Sequence, residues 1–126
     1  MRFQNAVISS FAYHLPDQVM TSEEIEERLA PLYERLKLPA GRVELMTGIK
    51  ERRFWPPGTM PSDLSTQAAR NLFEKNIVQP DQIDLLIHAS VCRDFLEPST
   101  SSIVHHNLEL QTDIMFFDLS NACLGV

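Results

Sequence analysis

The chain has 126 residues, 44% of them hydrophobic and 22% charged, with a net charge of −6; this is ordinary globular composition at one domain's length, enough to bury a core. The acidic balance and the lack of any basic run argue against a nucleic-acid partner, because no surplus of Lys and Arg can neutralise phosphates; no apolar stretch is long enough to span a membrane. Two cysteines, Cys92 and Cys123, make a poor disulfide framework and imply a reducing cytosol; no spacing resembles a zinc or other metal site.

In chain order, the start is too polar at Gln4 and Asn5 for a signal peptide. Residues 6–16, AVISSFAYHLP, have the β-branched and aromatic content of a first strand ending at Pro16. Residues 21–36 read as a helix: Thr21 or Ser22 can cap it, Glu23 and Glu24 suit its positive end, and Ile25, Leu29, Leu32 and Leu36 keep the helical period. Pro31 inside that pattern predicts a kink or a break into two helices. GIKERRFW is an extended piece closed by Pro56, Pro57 and Gly58, and residues 61–76 form a further helix with Ser62 as a possible cap.

The second half is more telling. IDLLIHASV, residues 83–91, is a nearly continuous apolar run of strand length, as expected of a strand buried on both faces of a parallel sheet. A helix follows, with Pro98 early and Ser99 or Thr100 as cap, and DIMFFDLSNA, residues 113–122, is a second apolar strand. Strand, helix and strand at this spacing make a βαβ unit, so the fold class is α/β. In open α/β sheets ligands bind outside the carboxyl ends of the strands.

Two residues fall at that edge. Cys123 sits just past the second strand, between small neighbours Ala122 and Gly125. A free cysteine is commonly a small buried hydrophobe; a helix starting near it would instead favour thiolate and present N–H groups to an oxyanion. Glu97 follows the first strand and precedes Pro98, which keeps it out of helical geometry; read alone, it is as well a solvated loop carboxylate. Arg93 and Asp94 suggest a surface pair or a structural brace. His88, inside an apolar strand, reads as a hydrogen-bonded core histidine. His105 and His106 are neighbours on a helix, so they face different ways and make a poor metal pair.

TGIKERRF, STQAARNLFEKN, QIDLLIHASV and FDLSNACLG, in that order and spacing, resemble the first half of the ketoacyl-ACP synthase III family of thiolase-fold condensing enzymes. RDFLEPSTSSIV together with NACL is similar to the OleA branch, which joins two acyl-CoA molecules head to head. The resemblance implies a thiolase-like α/β fold, with residues 1–126 as its N-terminal part. It implies Cys123 as the nucleophile that carries the first acyl group as a thioester. It implies Glu97 as the carboxylate that reaches into the partner subunit's active site and serves as base on the second chain. It further implies an acyl-CoA or acyl-ACP substrate, a homodimer, no cofactor, and a second half supplying a catalytic His and Asn. Arg42 and Met46 stand where short-chain synthase III enzymes carry the Trp and Arg that bind the CoA nucleotide, so those contacts are not implied. The other readings are a synthase III of fatty-acid or polyketide synthesis and an inactive interaction module.

Overall fold

The computed structural model describes residues 4–125, apart from the side chain of Cys123. The chain divides into two compact units, residues 15–57 and the remainder on either side.

In the unit of residues 15–57, β1 (Gln18–Thr21) pairs antiparallel with β2 (Glu51–Phe54), in register from Gln18 opposite Phe54 to Thr21 opposite Glu51. α1 (Ser22–Arg28) begins on a reciprocal cap. Glu24 N–H donates to Thr21 Oγ1 at 3.1 Å, and Thr21 N–H donates to Glu24 Oε2 at 2.6 Å. The expected break occurs: α1 ends at Leu29 and α2 (Ala30–Leu36) restarts with Pro31 in its first turn, where a missing N–H costs nothing. α3 (Arg42–Thr47) was not foreseen; it lies between Gly41 and Gly48, at φ of 80° and 69°, a conformation that glycine adopts without steric penalty. Its start is capped from a distance. Glu26 accepts N–H bonds from Gly41 at 2.7 Å and Val43 at 2.6 Å.

The other unit holds the βαβ motif. α4 (Pro61–Phe73) precedes β3 (Leu85–Ala89), α5 (Thr100–Asn107) and β4 (Met115–Leu119). β3 and β4 are parallel, with Leu86 opposite Phe116 and His88 opposite Asp118. Val104, Leu108 and Leu110 form the buried cluster, packed by Ala69, Phe73, Ile83, Leu86 and Ile114. The even-numbered strand residues therefore face the helices. Leu85, Ile87, Met115, Phe117 and Leu119 point the other way and are exposed among the described residues, so only one of the two expected faces is covered here.

Two expectations are corrected. Residues 6–16 form no strand, because no ladder partner lies beside them among the described residues. Side chains of α4 and of the turn after it take the carbonyls of Phe11 and Tyr13 instead: Lys75 Nζ, just past the end of α4, donates to Phe11 O and stands 5.1 Å over the Phe11 ring, and Asn71 of α4 donates to Tyr13 O at 3.0 Å. Ser62 is not the cap of α4. Pro61 takes the first helical position, Met60 occupies the cap position, and Ser62 is buried in the first turn with its donors turned to Asp94.

Candidate active site

The parallel pairing brings the carboxyl ends of β3 and β4 side by side. The segment after β3 carries Glu97; the segment after β4 carries Cys123. The sequence reading put both at one sheet edge; the backbone shows that the two segments leave neighbouring strand ends. Ser90 N–H donates to Leu119 O at 3.2 Å, and Ser120 Oγ donates to Ser90 O at 3.3 Å, so the two exits stay joined beyond the strands.

After β4 the chain turns sharply. Ala122 has φ of 47°, the left-handed region that a residue with a Cβ rarely enters, and a 3₁₀ turn of Ala122–Leu124 follows. Leu124 N–H donates to Asn121 O at 3.0 Å, and Asn121 Nδ2 donates to Leu124 O at 3.0 Å, which holds the turn. Strained backbone of this kind persists where the surroundings determine it, and it clusters at functional sites. The thiol of Cys123 lies outside the described residues. Gly125 is beside Ala89: a Cβ built on it would stand 3.7 Å from the Ala89 Cβ, an ordinary contact, so close approach does not itself require glycine there.

Glu97 is exposed between exposed Phe95, Leu96 and Pro98. The base of its loop is buried and polar. Asp94 accepts the Ser62 N–H at 2.9 Å and the Ser62 hydroxyl, and Asp94 N–H donates to Thr100 Oγ1 at 3.2 Å. Asp94 is thus the brace that the sequence offered as one of two readings. Asp118 was passed over as the polar residue of an apolar strand. It points to the start of α5 and accepts the N–H groups of Thr100 at 2.9 Å and Ser101 at 2.7 Å. Burial works against its charge, but the Ser101 backbone and side chain, the Thr100 N–H and nearby His88 together hold its carboxyl below the ordinary value. The signal for it in the sequence was an acid at an inward strand position, where an unpaired charge would be costly.

His88 lies across from Asp118, with Nδ1 3.3 Å from Ser65 Oγ and Nε2 buried without a partner among the described residues. It lines an open groove of about 650 Å³ with Leu64, Ala68, Leu86 and Cys92. The His105 ring packs against Phe116, centroids 4.8 Å apart and planes tilted by 37°, while His106 is exposed, so the two do face different ways. Among the described residues no group of His, Cys, Asp and Glu is arranged to hold a metal, and no helix is long and apolar enough to cross a membrane.

With this geometry the chain compares closely with solved and curated proteins. A cerulenin-bound OleA of Xanthomonas campestris superposes over 98% of the chain with a TM-score of 0.91 and 43% identity, and the chain covers 36% of that protein. The chain carries part of the OleA fold. OleA is a thiolase-fold protein, so the α/β, thiolase-like architecture expected from the resemblance stands. The acyl-CoA:acyl-CoA alkyltransferases of Shewanella oneidensis and Xanthomonas campestris are 38% and 44% identical over 126 and 125 residues. A β-ketoacyl-[acyl-carrier-protein] synthase III of Chlorobaculum tepidum is 36% identical over 121 residues, which is 95% of the chain and 34% of that protein. The chain spans a little over a third of the two alkyltransferases, 36% and 37% of their lengths. No protein-family model matches it.

Proposed function

We propose that this chain is part of an enzyme that condenses two fatty acyl-CoA molecules to a 3-ketoacyl thioester, with Cys123 as nucleophile and Glu97 as base. The observation that carries this reading is the likeness to acyl-CoA:acyl-CoA alkyltransferases along the entire chain, including the two segments that leave the carboxyl ends of β3 and β4.

The chemistry divides between those segments. The Cys123 thiolate attacks the carbonyl of the first acyl-CoA; the new carbon–sulfur bond forms as CoA thiolate leaves. Glu97 takes a proton from the carbon next to the carbonyl of the second acyl-CoA. The resulting carbanion attacks the Cys123 thioester, a carbon–carbon bond forms, and the cysteine thiolate is released. A carboxylate is a stronger base in an apolar, water-poor setting. Glu97, exposed here between Phe95 and Leu96, acquires such a setting when its loop inserts into a second copy of the protein, as the resemblance implies. The homodimer, and a catalytic His and Asn supplied by sequence beyond this third, belong to the same proposal.

Glu97→Gln in the full-length enzyme carrying this chain tests it. Acylation of Cys123 by a long-chain acyl-CoA, read by intact mass, stays near the parent level. Condensed product falls about 10²–10⁴-fold, the usual cost of a lost general base. Product formed at the parent rate would return Glu97 to an ordinary loop carboxylate.

A further inference from the structure

Glu97 is the midpoint of the loop 94–100, and both feet of that loop are tied down. The Asp94 N–H donates to Thr100 Oγ1 at 3.2 Å, which closes the loop across its base. The first foot is joined to α4, where Asp94 Oδ1 accepts the Ser62 N–H at 2.9 Å and its other oxygen takes the Ser62 hydroxyl. The second foot is joined to β4, where Asp118 accepts the Thr100 and Ser101 N–H groups at 2.9 and 2.7 Å. These anchors are out of water: Ser62 is 2% exposed, and Thr100 and Ser101 are 0% exposed. The apex is the reverse, with Leu96 86% exposed.

The choice of residue types follows from the donors present. Ser62 lies in the first turn of α4, so its N–H has no partner within the helix, and the helix start favours a negative charge. A carboxylate answers both needs and still leaves the Asp94 backbone N–H to reach Thr100. Closing the base removes conformational freedom from the apex before any substrate arrives, so less entropy is lost in ordering it there.

We infer that Asp94 and Thr100 are positioning residues for Glu97, setting where its carboxylate projects from the sheet edge. The inference rests on the reading of Glu97 as the condensing base. It differs from a plain stability role in one respect: it acts on the second half-reaction alone. A base displaced by about 1 Å can lose on the order of 10²-fold in rate, whereas thioester formation at Cys123 does not use it.

Thr100→Val keeps the side-chain volume and removes the acceptor; Thr100→Ser restores the acceptor. In the full-length enzyme, Thr100→Val lowers kcat for condensation about 10- to 100-fold, while the acylation rate of Cys123 and the KM for acyl-CoA stay within about twofold of the parent. Thr100→Ser recovers most of the loss, and Asp94→Asn falls in the same direction as Thr100→Val. Amide hydrogen exchange on the same samples reads the anchor without reference to activity: Phe95, Leu96 and Glu97 exchange faster in Thr100→Val, with β3 and α4 unchanged. Unaltered exchange at those three amides overturns the anchoring whatever the activity. Faster exchange with parent kcat overturns the positioning role, and so does a loss of acylation equal to the loss of condensation. The Glu97→Gln variant run beside them separates the two levels. If it condenses at the parent rate, the base assignment has failed, and the exchange data show whether the anchor exists independently.

Discussion

The two compact units use similar short helices and strands but are closed by different forces. In residues 15–57 the buried apolar anchor is Met20, and around it the contacts are polar. Ser22 Oγ donates to Ile49 O at 2.5 Å and accepts from Arg52 at 2.9 Å, while Glu26 caps α3. In the other unit Val104, Leu108 and Leu110 make an apolar cluster under the β3–β4 sheet, and the carboxylates of Asp94 and Asp118 fix where α4 and α5 begin and tie down the two feet of the loop 94–100. Apolar burial is non-directional and little affected by pH. Carboxylate-to-N–H contacts are directional, and they are lost on protonation. The unit that supports the candidate site thus gains its bulk stability from one kind of force and its precision from the other.

Leu108→Ala strikes the apolar side of that contrast. It removes a buried side chain from the cluster and should destabilise the βαβ unit by about 2–4 kcal/mol, while residues 15–57 keep their parent stability. Region-resolved amide exchange measures both at once; equal destabilisation of the two units would show that they do not respond separately.

Asp118→Ala strikes the directional side of the same unit. Two N–H groups at the start of α5 lose their acceptor, which should cost about 1–2 kcal/mol by urea unfolding at neutral pH. The parent carboxyl lies below its ordinary value when folded, so its contribution is complete above the usual carboxylate range and fades as pH falls through the folded value. Stability of the variant should therefore fall less steeply in acid than that of the parent; parallel acid profiles would rule out this role.

The smallest effect belongs to Glu26→Gln in the polar unit. The Val43 N–H, against an opposing penalty from burial, and then Gly41, Tyr33 and Arg42, hold the Glu26 carboxyl below its ordinary value. The same sign applies: the cap is in force above the ordinary glutamate range and released in acid. The amide resonances of Gly41 and Val43 should titrate at low pH in the parent and lose that inflection in the variant. An inflection that survives the substitution would assign it to another group.

How far the sequence reached depends on the range over which each signal acts. The apolar runs that became β3 and β4, the helix between them, the Thr21 cap and the break at Pro31 were all legible, because each is written within a few residues of where it acts. That the segments carrying Glu97 and Cys123 leave the same end of the sheet followed from the βαβ order, since parallel strands share an end. Only the tertiary structure decided that Phe11 and Tyr13 give their carbonyls to the side chains of Lys75 and Asn71 and not to a strand ladder, that Ser62 is a buried donor, and that Glu26, Asp94 and Asp118 are acceptors for helix starts. The three carboxylates and the N–H groups they accept are 15, 32 and 18 positions apart. A carboxylate leaves no periodic trace of the N–H it will meet: its partner is set by which backbone groups remain unpaired once the helices and strands have formed and packed.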